Sequence, residues 1–148
     1  MNYAVPLRER IGAEVRSFRP WRPRARPVDH LFIAYRILQV ILVGMPMIAG
    51  FDKFFHLITN WDIYVSPLFM QLTHIPARET TYLWAPLELA VGLMVALKPR
   101  IGSFAATLML AAVTFNSLIT PGHLHLAMLD FCLCMDAVIL SILSRKYE

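Results

Sequence analysis

Four apolar runs, each about as long as a lipid bilayer is thick, limit this chain more than any other feature. They cover residues 31–53, 81–97, 101–119 and 124–143. At 1.5 Å per residue, a helix of about 20 residues crosses the ~30 Å hydrocarbon core. No water is available there, so a segment that is not part of a closed barrel must satisfy its own backbone, and only a helix does so. The turns at Lys98-Pro-Arg100 and Pro121-Gly122 are short enough to make the helices on either side antiparallel neighbours. Apolar residues make up 57% of the 148 and charged residues 16%, and the mean hydropathy is +0.55, outside the usual range of soluble domains. The expected fold is all-α, a four-helix transmembrane bundle over residues 30–148. There is no internal repeat or low-complexity tract.

Residues 57–80 do not fit the spanning pattern. Pro67 and Pro76 interrupt them, and Trp61 and Tyr64 are residue types favoured at a membrane–water boundary. We expect an interfacial segment between helices 1 and 2, lying over the mouth of the bundle. Charge then orients the whole. Arg8, Arg10, Arg16, Arg19, Arg22, Arg24 and Arg26 precede residue 30, and Lys98, Arg100, Arg145 and Lys146 lie on the same side. The positive-inside rule therefore places both termini of this multi-pass chain in the cytoplasm.

The net charge of +4 resides in the tail. That distribution points to anionic lipid and gives no indication of nucleic acid. Residues 1–29 form a basic, Pro- and Arg-rich tail, either solvated in the cytoplasm or laid across a partner subunit. A cleaved targeting peptide is disfavoured, because the apolar run that follows is too long for a signal sequence.

On one helix through 30–56, Pro46, Gly50 and Lys53 share a face at i, i+4, i+7 spacing, which lets a neighbouring helix approach closely beneath the lysine. Arg36 and Gln39 fall in the first turns, where long side chains can reach the headgroups. Gly102, Ala105, Ala106, Met109, Ala112 and Asn116 form a small-residue stripe on the third helix, expected to be packing surface, with Asn116 able to add a hydrogen bond between helices.

An ionised side chain at membrane depth costs roughly 2.5–3.5 kcal/mol on insertion scales, so each needs a partner or a purpose. Lys53, Glu88 and Asp130 can converge near the non-cytoplasmic ends of the helices, one amine between two carboxylates. Such a cluster either fixes helix register as a buried ion pair or binds a quinone headgroup and passes protons. His56, Trp61, Tyr64 and His123 would border it. Asp136 sits deeper, on a face shared with Cys132 and His125, and would be protonated, bonded to a carbonyl or turned toward a partner helix.

His123-x-His125 could ligate a metal or haem, but positions i and i+2 point to different faces of a helix. Solvated or capping histidines are the better reading, with no metal or haem site. Cys132 and Cys134 face the same difficulty in forming a bridge and read as small core residues. No nucleotide loop, zinc-protease motif or hydrolase signature is present.

The run Gly50-Phe-Asp52-Lys53-Phe-Phe-His56, with Trp61 and Tyr64-x-x-Pro67 beyond it, resembles the first-helix exit of the DoxX-like family of small bacterial membrane proteins. Glu88-Leu-Ala-Val-Gly92-Leu-Met, Pro99-Arg100-x-Gly102 and Ala105-Ala106 resemble that family's central block, so the likeness covers about residues 50–110. The fourth helix and the arginine-rich tail resemble nothing comparable. The resemblance implies a four-helix transmembrane bundle, association with quinone-linked oxidoreductases or with accessory positions in membrane complexes, and weight on Lys53 and Glu88.

Three functions are consistent with these features. The first is a non-catalytic accessory subunit of a larger membrane electron-transfer complex, whose partners are other membrane protein subunits. With almost no domain outside the bilayer, the chain is not expected to be catalytic on its own. The second is a quinone- or quinol-binding component of a membrane oxidoreductase, with quinone as the one cofactor considered. A small transporter is the weakest, since neither an inverted repeat nor a pair of broken helices is evident.

Overall fold

The structure, a computed structural model, describes residues 29–148; the basic tail lies outside the described residues. Five α-helices follow in order: α1 His30–Phe55, α2 Pro67–Thr73, α3 Ala77–Leu97, α4 Pro99–Ile119 and α5 Leu124–Tyr147. A 3-10 turn at Trp61–Tyr64 precedes α2. Helices α1, α3, α4 and α5 are each long and apolar enough to cross a membrane. They form a ring in which α1 packs on α3, α3 on α4, and α4 on α5, with α5 closing more loosely on α1.

Side-chain distribution is inverted relative to a soluble bundle. Leu31, Ile37, Val40, Ile48, Leu93, Phe104, Leu108 and Phe115 are exposed, while Gln39, Asp52, Lys53, Thr81, Glu88, Ser103 and Ser117 are buried. In water so wide an apolar surface would drive association; against lipid tails it carries no such penalty.

Small residues bring the helices together. A side chain on Gly50 would meet Leu89 and the Ala85 carbonyl, and one on Gly92 would meet Met47 and Pro46. The expected face at Pro46, Gly50 and Lys53 is thus the contact between α1 and α3. One on Gly102 would collide with the backbone of Met94 and Val95, so α4 turns back on α3 with no room for a Cβ. Gln39 is buried and donates to the Val95 carbonyl at 3.2 Å, while Arg36 donates to Gln39 Oε1 at 2.6 Å. This corrects the expectation that Gln39 reaches the headgroups: an amide beside a helix carbonyl finds a partner inside the bundle.

The two ends of the described chain meet. Asp29 caps α1 by accepting from the Leu31 and Phe32 amides, and Tyr147 donates its hydroxyl to Asp29 Oδ2 at 2.9 Å. That hydrogen bond, more than the nearby Lys146, holds the exposed Asp29 carboxyl below the usual range. Phe32, Tyr35 and Tyr147 cluster above it. Glu148 accepts from the Arg100 amide, covering one of the donors that a helix start leaves unpaired.

The opposite end carries the crossover segment between α1 and α3. Pro67 opens α2 at its first position, which suits proline because no amide is needed there. Helix α3 starts four residues before the expected span, directly after Pro76. Asp52 organises the segment. Its carboxylate accepts from the amides of Leu57, Ile58 and Thr59 at 2.9, 2.9 and 3.2 Å and from the Trp61 indole at 2.7 Å. His56 adopts a left-handed conformation (φ 52°) and so turns the chain into that cradle.

Asn116 is the second tie: its Oδ1 accepts from the Ser66 amide at 3.1 Å, and its Nδ2 donates to the Tyr64 carbonyl at 2.7 Å. The asparagine therefore secures the crossover segment and does not link two spanning helices. We expect Asp52→Ala to release residues 57–64 while the four long helices persist. Amide exchange of Leu57, Ile58 and Thr59 should quicken roughly tenfold or more, and exchange at the centre of α3 should stay unchanged.

Candidate functional site: a charged cavity beneath the crossover

A cavity of about 550 Å³ lies under the crossover segment, bounded by all four long helices. Leu42, Met45, Pro46, Ala49 and Lys53 of α1 form one wall, and Thr81, Trp84 and Glu88 of α3 another. Met109, Ala112, Val113 and Asn116 come from α4, and Leu129, Asp130 and Leu133 from α5. Trp61, Tyr64, Leu68 and Phe69 roof it. Its size falls within the 300–1,000 Å³ of small-molecule sites, and such sites are mostly apolar with a few polar groups. The expectation that the α4 stripe is packing surface is therefore corrected in part. Gly102 is buried against α3, but Ala106, Met109, Ala112 and Asn116 border the cavity.

Lys53 and Glu88 meet in the wall. The ammonium donates to both carboxylate oxygens, at 2.7 and 2.9 Å, and both residues are 7% exposed. The Trp61 ring covers Nζ at 3.8 Å from its centroid, an attraction between cation and aromatic face. Trp61 is itself pinned by Asp52, so two adjacent acidic and basic residues act through one indole. Although neighbours in sequence, the two are turned apart by the helix, Asp52 to the crossover and Lys53 to the cavity.

Asp130 reaches the same cavity but does not share the amine. It accepts from Ser117 at 2.9 Å. The expected amine between two carboxylates is thus an ion pair beside an acid bonded separately to Ser117.

The other proposed residues divide. Trp61 and Tyr64 line the cavity. His56 stays outside, with Nε2 at 3.6 Å from Asp62 and its ring edge-on to Tyr82. His123 also stays outside, edge-on to Tyr64 at 5.0 Å and bonded to the Pro121 carbonyl. Among the described residues, no three His, Cys, Asp or Glu side chains converge as metal ligands. Cys134 is buried, but Cys132 is exposed, correcting its reading as a core residue. Asp136 is half-buried, with no hydrogen bond from its side chain to any described residue.

Thr81 escaped sequence reasoning as a site residue. Its position seven residues before Glu88 on the α3 face was the available signal, with Trp84 between them.

These features define a helical bundle able to cross a membrane, with a mostly apolar cavity among its helices that carries a few charged groups in its wall. No protein-family model, curated protein or solved structure matches the chain.

Removing one member of the ion pair leaves the other buried and uncompensated. Lys53→Met should destabilise the solubilised protein by about 3–5 kcal/mol, whereas Lys53→Met with Glu88→Leu should recover most of that loss. Thermal unfolding of the wild type, both single variants and the double variant checks this. Equal, additive losses would mean that the two side chains do not act as a pair.

Proposed function

We propose that this chain is a DoxX-like, multi-pass subunit of a bacterial inner-membrane electron-transfer complex, with both termini cytoplasmic, and that its cavity holds the head of a quinone or quinol. One observation carries the reading: an apolar cavity of suitable volume, between spanning helices, has a buried ion pair and a second acid in its wall. A membrane-resident ring with oxygen substituents matches that combination, because its tail suits the apolar walls and its oxygens need polar partners. Glu88 and Asp130 supply groups that can hold or pass a proton as the bound molecule changes oxidation state. On this reading the electron carrier belongs to another subunit.

A second reading, a purely accessory subunit, draws on Asp136. A half-buried carboxyl at the middle of α5, with no hydrogen-bond partner among the described residues, is costly in lipid unless another helix supplies a donor.

Gentle solubilisation separates the two. Under the quinone reading, the purified protein carries quinone extractable into organic solvent, and Lys53→Met or Glu88→Gln lowers its content roughly tenfold. Under the accessory reading, large partners copurify in fixed ratio without quinone bound to this chain, and Asp136→Leu releases them. Absence of quinone from the wild type, with no uptake of added quinone, would overturn the first reading.

A further inference from the structure

Threonines within a spanning helix usually spend their hydroxyl on the carbonyl four residues back. Here Thr73, Thr80, Thr107, Thr114 and Thr120 all do so, at 2.6–3.0 Å. Thr81 does not. Its side chain is 2% exposed, its Oγ1 has no partner among the described residues, and it borders the cavity. An unpaired buried hydroxyl costs about 1–3 kcal/mol, so a group that completes it is favoured there.

The remaining polar atoms of the wall are unbalanced. Lys53 donates to both oxygens of Glu88 and lies over the Trp61 ring. Asn116 spends both ends of its amide on the crossover backbone. Ser117 spends its proton on Asp130. What is left is the Thr81 hydroxyl, the Trp84 indole N–H, which has no partner among the described residues, and the unfilled lone pairs of the Glu88 and Asp130 carboxylates. The wall therefore sets neutral donors beside carboxylate acceptors, and only a group that both donates and accepts serves the two kinds together. A carbonyl presented to those carboxylates would set lone pair against lone pair; a hydroxyl would donate to them.

Position narrows the ligand further. Thr81, Trp84 and Glu88 follow at i, i+3 and i+7, one face of α3, and all three border the cavity. The two ends lie ~10 Å apart along the helix axis at 1.5 Å per residue, and the Glu88 side chain leans back toward Thr81. A ligand that reaches both ends must span that distance alongside Trp84.

Building on the reading of the cavity as a small-molecule site, we infer that its preferred occupant is an aromatic head bearing hydroxyl groups, a phenol or a quinol, on an apolar tail. One hydroxyl donates to a carboxylate of the wall, and another ring oxygen accepts from Thr81. The oxidised, carbonyl-only form of the same head is the poorer ligand.

The test uses the full chain in lipid nanodiscs, titrated calorimetrically under argon with four tail-matched probes: a decylbenzoquinol, its quinone, its dimethyl ether, and decylbenzene. The quinol should bind about tenfold or more tighter than the quinone and the ether, since each lacks the donated proton. Thr81→Val should weaken the quinol roughly fivefold and leave decylbenzene, which has no oxygen, unchanged, while Thr81→Ser keeps wild-type affinity. A decylphenol arm separates sources: equal affinity for phenol and quinol assigns the site to phenolic lipids in general, and a preference for quinol assigns it to the reduced quinone pool.

Quinone binding as tightly as quinol overturns the inference. So does Thr81→Val indistinguishable from wild type, or decylbenzene matching the quinol. If Thr81→Val fails to fold, comparison of quinol with ether on the unaltered protein decides alone. If none of the probes binds, the reading of the cavity as a ligand site falls with it.

Discussion

The bidentate contact between Lys53 and Glu88 is the interaction on which the arrangement of this bundle depends. Neither charge is tolerable alone in hydrocarbon, and together they join α1 to α3 across an otherwise apolar boundary. Gly50 and Gly92 make that union geometrically possible, because each removes the side chain that would hold the helices apart. Small residues bring the backbones close and the ion pair fixes their register. Dispersion alone would leave such a seam free to slide, since lipid offers no hydrophobic gain for any one alignment.

The same pair explains why the crossover segment sits where it does. Trp61 covers the same Lys53 ammonium that Glu88 binds, and Asp52 holds Trp61 there through its indole proton. One turn of α1 thus directs its acid to the loop and its base to the interior. With Asn116 of α4 gripping Tyr64 and Ser66, the roof is tied to two helices on opposite sides of the cavity. The roof of the cavity therefore hangs from polar contacts at its rim, over walls that are mostly apolar.

Much of the bundle was legible in the sequence because lipid enforces simple rules. Length and apolarity reveal the spans, and a lone lysine and a lone glutamate on neighbouring helices announce a pair. Less legible were contacts that depend on loop geometry. Asp52 reads as one more charge near a helix end; its role as acceptor for three successive amides follows only once His56 enters the left-handed region. Gln39 and Asn116 were recognisable as polar residues in need of partners, but periodicity does not reveal whether a partner is headgroup, helix or loop. The α4 stripe carried a further ambiguity, since small residues permit close packing in one half of a helix and leave a void in the other.

Thr81 shows where such reading reaches its limit and where physical accounting continues. A threonine in a helix is ordinarily silent, because the backbone four residues back absorbs its hydroxyl. The one threonine of α3 that departs from this habit stands on the cavity wall, on the face that also carries Trp84 and Glu88. Its donor and the carboxylate acceptors lie at separate places on that wall, with an indole between them. A lipid chain entering by accident would satisfy neither group. A ring with oxygens at both ends would satisfy both, and in doing so would bridge α3 to the acid of α5, completing across the cavity the connection that α1 and α3 already make through their ion pair.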